Sequence, residues 1–451
     1  MDRLYKLLYK NLIYPLYHLF KRDGLLCAEK KAKYAEGLSP EDLAHYQQKK
    51  IIELLKFVFV NVPYYKEKLE ESGVNHQSEI TADHIFRLPV LTKSEIKNNF
   101  DKFQSRSLVG NRIFKNSTSG SSGEPFKFNT DLRSMAYKSA MVERNQRWAG
   151  IDRGDKEARL WGAQIDVSVS NNIRGRIHGF ISRKLMLSTY SMTEADLSRY
   201  ASLLSSFKPK LLTSYPGPLD VFAKFCNKNN ISISSLKAII TSAEMLYPHQ
   251  RNEIECAFKV KIFNRYGSRE FGTIAQEDKY HDGLRVNSDH VFIEILNEDN
   301  TDCNRGVLGE LVVTDLDNYG MPLIRYKIGD RASWPVEQYN YPGMPFPLLN
   351  SVEGRALDVI LAPNGNRIGG TYWTILMRSR GSIELFQIKQ TSLTDISIKY
   401  KSADRLTDSE IDFFNHEIKT KCGDEMKVAF EKVEKIPETR SGKHRIIISE
   451  I

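Results

Sequence analysis

Residues 117–125 read Ser117-Thr118-Ser119-Gly120-Ser121-Ser122-Gly123-Glu124-Pro125. The run gathers hydroxyls, flexible glycines and several backbone N–H groups into one short loop. Glycine lets a backbone approach a ligand closely, and successive N–H groups form a cradle for phosphate. The Lys-Ser/Thr ending of the G-x-x-x-x-G-K-[ST] phosphate loop is missing. Read alone, a Ser/Gly-rich run is more often a plain linker. Its surroundings decide between the two.

On the C-terminal side, β-rich apolar runs (Lys210–Thr213, Ala238–Thr241, Val260–Phe263, Val291–Leu296, Gly309–Thr314) alternate with helical stretches at Thr193–Phe207 and Pro248–Phe258. Such alternation from about 105 to 335 reads as α/β. On the N-terminal side, residues 1–95 read as mostly helical, with a start at Ser39-Pro40-Glu41-Asp42 and a periodic run from Ile51 to Phe59. After Gly354-Arg355 come strand-like runs at Ser382–Gln390 and Ile396–Tyr400, a helix over Ser409–Lys421 and a strand near Met426–Val433, enough for a small α+β domain.

Four further segments carry candidate chemistry. Tyr266-Gly267-Ser268-Arg269-Glu270 offers an aromatic ring and a carboxylate at a strand end, able to stack a base and hold a cation. The run from Pro322 to Asp330 ends in a Gly-Asp turn whose carboxylate can bind ribose hydroxyls. Gly354-Arg355-Ala356-Leu357-Asp358 sits at a shift in composition, as a hinge would, and Pro437–Arg445 sets Lys443 in a glycine-containing turn. Each has a plain alternative as a common turn or solvated surface.

Composition narrows the class. The chain has 451 residues, of which 41% are apolar and 27% charged, so it is a soluble globular type of two to four domains. Its net charge of +9 is uneven: residues 1–33 hold eight Lys/Arg against three Asp/Glu. The remainder is nearly neutral, which argues against a nucleic-acid partner. Cys27, Cys226, Cys256, Cys303 and Cys422 show no C-x-x-C spacing, so neither a disulfide framework nor structural zinc is expected, and scattered thiols fit a reducing cytoplasm. No apolar stretch reaches 18 residues. The N-terminus instead shows helical periodicity in Leu4, Leu7, Leu8, Leu12, Leu16, Leu19 and Phe20, interspersed with Lys, Arg and Tyr. Residues 1–22 read either as a helix packed on the protein's own body or as a peripheral contact with the inner face of a membrane.

Taken in order, these segments resemble the adenylate-forming superfamily of acyl-CoA synthetases, and within it the phenylacetate–CoA ligase group and its CapK-like relatives in capsular polysaccharide biosynthesis. The resemblance also rests on Val62-Pro63-Tyr64-Tyr65, Leu88–Lys93, Thr241-Ser242-Ala243-Glu244, Asp282–Arg285, Asp289-His290 and Gly309–Thr314, and covers nearly the whole chain. It implies an α/β fold: a helical lead-in over 1–95, an adenylation domain of mixed β-sheets flanked by helices over 96–355, and a small mobile α+β C-terminal domain over 356–451.

It also implies roles. Thr118, Ser119, Gly120, Ser121, Ser122 and Gly123 would enclose the ATP phosphates. Tyr266, beside Gly267, would stack on adenine with Ser242, Ala243 and Glu244 nearby. Glu270 would hold Mg²⁺, Asp330 would bind ribose with Arg355 close by, and Lys443 would reach the carboxylate and α-phosphate. Arg269 stands where the family usually has Thr, adding charge near the phosphates or crowding them, and Leu357 replaces a charged hinge residue. The cysteines that hold zinc in some members are missing, so no zinc is expected.

The acid pocket would be built from Tyr137, Met141, Arg144 and Asn145 on the helix after the phosphate loop, with Trp161, Gln164, Ser214 and Tyr215. Arg144, Asn145 and Gln164 point to a polar acid such as an amino acid, a hydroxy acid or a uronate. The reaction implied is ATP-dependent activation of a small carboxylic acid. The acceptor would be an amine or hydroxyl on a nucleotide sugar or lipid-linked sugar, or the thiol of CoA; the remaining reading is a non-catalytic nucleotide-binding relative.

Overall fold

The structure is a computed structural model. It describes residues 2–107, 112–117, 126–161, 183–189, 192–338, 341–353, 359–369, 373, 376–377, 379–436 and 446–451. The chain divides into two compact units, the larger ending at Glu353 and the smaller built from residues 354–451.

The larger unit opens with helices α1 (Asp2–Leu8), α2 (Tyr14–Lys21), α3 (Leu25–Glu36), α4 (Pro40–Asn61) and α5 (Pro63–Glu71). Local chemistry sets their starts. Ser39 caps α4 by accepting a hydrogen bond from the Asp42 N–H at 3.0 Å, and Pro40 and Pro63 occupy first-turn positions where no N–H is required. The buried face of α4 and α5 (Ile51, Leu54, Leu55, Val58, Tyr65, Leu69) joins one core with the strands described next.

Strands β1 (Ile113–Ser117) and β2 (Lys127–Asp131) pair antiparallel, with Ser117 opposite Lys127. Asp131 then caps helix α6 (Leu132–Trp148), accepting from the Ser134 N–H at 2.7 Å. Next come β3 (Glu157–Trp161), β4 (Lys184–Ser188), helix α7 (Glu194–Phe207), β5 (Leu211–Ser214), α8 (Pro216–Lys228), β6 (Ala238–Ser242), α9 (Pro248–Phe258), β7 (Ile262–Ser268), β8 (Gly272–Gln276) and β9 (Leu284–Val286). The chain continues with β10 (Val291–Leu296), β11 (Gly309–Asp315), β12 (Tyr326–Ser333), β13 (Leu348–Leu349) and β14 (Ser351–Glu353).

The main sheet has eight strands in the order β13-β9-β8-β7-β6-β5-β3-β4, parallel from β4 to β7 and antiparallel beyond. The parallel strands need crossovers, which α7, α8 and α9 supply. These helices bury Leu197, Leu204, Leu219, Phe222 and Ile254 against Leu160, Leu212 and Ile239 of the sheet. The second sheet, β10-β11-β12-β14, is wholly antiparallel.

The smaller unit has a hairpin of β15 (Val359–Leu361) and β16 (Arg367–Gly369). It continues with β17 (Leu385–Gln390), β18 (Asp395–Lys401), helix α10 (Asp408–Cys422), β19 (Lys427–Lys432) and β20 (Ile447–Ser449), forming a mixed sheet ordered β19-β18-β17-β20. Thr407 and Glu410 form a capping box on α10. Phe414 and Ile418 pack with Ile388 and Ile398 in its core.

Val291–Leu296 and Pro248–Phe258 fall where the sequence pattern predicts them. The strand expected at Val260–Phe263 instead runs from Ile262 to Ser268. It extends because Tyr266 to Ser268 pair with β8 across the turn at 269–271, a partner that a local apolar pattern cannot reveal.

Candidate active site

The parallel strands end along one edge of the main sheet. Leu160 pairs with Ser214, Ser214 with Thr241, and Ser242 with Arg265. That register aligns Trp161, Ser214-Tyr215, Ser242-Ala243-Glu244 and Tyr266-Gly267 at the carboxyl ends of β3, β5, β6 and β7. In open α/β sheets this edge is where ligands bind. Ala243 has φ 70°, in the left-handed region, as the chain turns off β6. Glu244 accepts a hydrogen bond from the Gly217 N–H at 3.2 Å, tying the β6 turn to the start of α8. The Trp161 and Tyr215 rings lie 4.2 Å apart. Ser214 is fully buried, its hydroxyl 3.1 Å from the Leu160 carbonyl, so it serves the strand rather than an open pocket.

Tyr266 and Asp330 lie 64 residues apart yet meet directly. The Tyr266 hydroxyl donates to Asp330 Oδ2 at 2.6 Å, and both side chains are half-buried. A ring and a carboxylate are thereby joined at the sheet edge, within reach of solvent. The β7–β8 turn carries Arg269 and Glu270. Arg269 donates to the Ser117 carbonyl at 3.0 Å, which sets the turn beside the last residue of β1. Ser117 faces Lys127 across the β1–β2 hairpin. Glu270 is buried.

Glycine makes this turn possible. A Cβ on Gly267 would fall far inside van der Waals contact with the Gly272 carbonyl oxygen. The Gly267→Ala variant should therefore push β7 and β8 apart and cost roughly 1–3 kcal/mol. A thermal melt measures the loss; an unchanged melting temperature would contradict the close approach.

One residue beyond the sequence-derived set joins the group. Lys138, on α6, donates to the Glu270 carbonyl at 2.5 Å, and its stem passes Gly272 so closely that a Cβ there would lie 2.8 Å from Lys138 Cγ. Burial lowers its pKa, against the opposing pull of Asp315, Glu270 and Asp131. A signal for it existed: Lys138 is the lysine on the helix that follows β2, next after the Ser/Gly run.

The residues of α6 expected in the acid pocket fall on two neighbouring faces. Tyr137, Met141 and Arg144 share one helical face, spaced by four and three residues, and that face is turned into the core. Arg144 is 0% exposed and holds Asp289 through two bonds of 2.7 and 2.9 Å and Asn287 at 2.6 Å. Met141 packs with Leu25, Ala28 and Ala32, and the Tyr137 ring takes the Lys50 ammonium at 4.5 Å. Lys138 and Asn145, seven apart, share the neighbouring face. Asn145 is fully buried, and neither atom of its side-chain amide has a hydrogen-bond partner among the described residues.

Beneath α6 lies a buried polar knot. His290, Asp315 and Asp317 bring possible metal-ligand atoms within 4.8 Å of one another. A lysine supplies positive charge there. Lys50 bonds both Asp317 oxygens at 2.8 Å and the Asp289 carbonyl at 2.6 Å. Burial alone would raise the Asp317 pKa, but Lys50, His290 and Arg133 hold its carboxyl at about 2.

Thr118 to Gly123, Gln164, Arg355 and Lys443 lie outside the described residues, as does Leu357. No helix among the described residues is long and apolar enough to cross a membrane.

Residues 360–450 match the family model of the CapK C-terminal domain. Over 418 residues the chain is 27% identical to Protein CapK of Staphylococcus aureus, covering 91% of this chain and 90% of that one. It is 22% identical to phenylacetate-coenzyme A ligase of Thermus thermophilus, covering 72% and 73%. Its fold is similar to a crystal structure of 2-hydroxyisobutyryl-CoA ligase in the postadenylation state in complex with R3-HIB-AMP. That likeness has a TM-score of 0.72 at 17% identity, over 92% of this chain and 91% of that one. In fold and in sequence the chain is thus similar to adenylate-forming ligases of the phenylacetate–CoA ligase-like group. Within that group the chain resembles Protein CapK along nearly its whole length.

Proposed function

We propose that the protein activates a small carboxylic acid with ATP in the cytoplasm and transfers the acyl group to an amine or hydroxyl of a capsular or surface-polysaccharide sugar. The observation that carries the reading is the Tyr266–Asp330 pair at the sheet edge, with Arg269 of the following turn bonded to Ser117. A ring to stack on adenine and a carboxylate for ribose hydroxyls fit a nucleotide, and loop N–H groups fit its phosphates.

In this reading a carboxylate oxygen of the acid attacks the α-phosphorus of ATP. The bond to the pyrophosphate oxygen breaks, leaving acyl-AMP and pyrophosphate. The acceptor then attacks the acyl carbon and AMP departs. Negative charge gathering on the phosphoryl oxygens must be offset by fixed donors. By the resemblance, residues 118–123 would offer N–H groups, Arg269 a guanidinium and Lys443 an ammonium to the phosphates, and Arg355 would lie close to the ribose. Glu270 suits Mg²⁺ because it is a buried hard-oxygen donor. Bound there, the ion would neutralise phosphate charge.

Asn145 supports a polar acid, since a buried amide without partners is costly unless a ligand or water engages it. Arg144 no longer supports one, being spent on Asp289.

The acceptor test is product analysis. With ATP and the cognate acid, a nucleotide sugar or lipid-linked sugar should yield an amide or ester. A thioester formed with free CoA, and no sugar product, would move the assignment to an acyl-CoA ligase. The name of the relative 2-hydroxyisobutyryl-CoA ligase keeps that second reading in the comparison.

A further inference from the structure

The first 22 residues carry a stripe of leucines and a stripe of lysines and tyrosines, and the larger unit binds the polar one. Helices α1 and α2 are joined by a π-helical turn over Tyr9–Ile13. On one side of this rod, Lys6 donates to Asp155 at 2.6 Å and Lys10 to Asp152 at 3.0 Å. The Tyr14 hydroxyl donates to Glu29 at 2.5 Å, and the Arg153 guanidinium lies 3.8 Å over the Tyr14 ring. His18 meets Asp23 at 2.7 Å. These contacts fix the orientation of the rod.

The other side is apolar and open. Leu4, Leu8, Leu12, Leu16 and Leu19 are all exposed, and Phe20 is 91% exposed. An ordinary surface helix turns its apolar stripe to the core; this one is reversed. The π turn preserves the stripe. Leucines four apart drift by about 40° per step on an α-helix, and a wider turn with its i→i+5 bonds rotates the row back.

Lys21 and Arg22 stand exposed beside Phe20, and Lys30, Lys31 and Lys33 are exposed on α3. Two copies meeting leucine face to leucine face would bring these like charges together. An anionic lipid surface satisfies both features, taking the leucines into its acyl boundary and the basic residues into its headgroups. We propose that residues 4–22 form a docking face for an anionic lipid membrane, with Leu8, Leu12, Leu16, Leu19 and Phe20 inserting and Lys21 and Arg22 at headgroup level. The ion pairs of Lys6 and Lys10 hold the larger unit onto the opposite side of the rod. This inference stands apart from the identity of the acid or acceptor.

The test is co-sedimentation of the full chain with phosphatidylcholine vesicles, with and without phosphatidylglycerol. The wild type should pellet with the anionic vesicles, less so as salt rises. The triple substitution Leu12→Gln, Leu16→Gln, Phe20→Gln should lower the bound fraction at least about 10-fold, while the circular dichroism spectrum stays unchanged. The pair Lys21→Glu, Arg22→Glu keeps the leucines and should weaken the preference for phosphatidylglycerol. The proposal is overturned if the wild type stays in the supernatant with both vesicles, or if the triple variant binds as the wild type does. It is equally overturned if the wild type forms a dimer that the triple substitution dissolves and binds neither vesicle, since the leucine face then belongs to a second copy.

Discussion

Replacing Lys443 by alanine should slow acyl-adenylate formation at least about 10²-fold, because one lost charge contact in the transition state costs about 3 kcal/mol or more. The reasoning is electrostatic. The acid and the α-phosphate both carry negative charge, so bringing them together needs a cation poised between them. Lys443, in the sequence Ser441-Gly442-Lys443, is the lysine that the resemblance assigns to that place, within the region matched by the CapK C-terminal domain model. Acid-dependent pyrophosphate release measures the effect, with circular dichroism confirming that the variant folds. Turnover near that of the wild type would remove Lys443 from the mechanism.

A second large effect is expected on stability. Asp317→Asn removes the anion that balances the buried Lys50 ammonium, and breaking a buried pair from one side costs roughly 3–5 kcal/mol. The urea midpoint of the larger unit should fall accordingly. The acid limb gives an independent check. Asp317 has its pKa depressed from an ordinary 3.8 to about 2 in the folded state, so its stabilising contribution is complete above the ordinary value and fades as pH falls towards 2. The wild type should lose stability across that window, and the variant should lose less there. Equal acid sensitivity in both would contradict the depressed pKa.

The fold was legible where local pattern and local partner coincide. Val291–Leu296 alternates and pairs regularly with β11, and Pro248–Phe258 starts at a proline and ends before Lys259 in a left-handed conformation. It was less legible where the partner is distant. β20 over Ile447–Ser449 is a strand because β17 lies beside it, and the end of β7 depends on Gly267 meeting Gly272. Of the site, the Tyr266–Asp330 pair joins two motifs that the sequence offered separately. Tyr137, Met141 and Arg144, expected in the pocket, lie on the buried face of α6. A residue-type reading took polar and large side chains together, whereas helical spacing divides them between a core face and the face shared by Lys138 and Asn145. The reversed N-terminal rod was the least legible feature. Periodicity announces two stripes, and only the positions of Asp152 and Asp155 decide which one faces the protein.

The central claim is that this chain makes acyl-adenylates, and the direct measurement is acid-dependent exchange of labelled pyrophosphate into ATP. A panel should include amino acids, hydroxy acids and uronates besides phenylacetate. Exchange that requires one polar acid and falls when Asp330 is replaced by asparagine is the expected result. Absence of exchange with every acid of the panel, from folded protein supplied with ATP and Mg²⁺, would contradict the account.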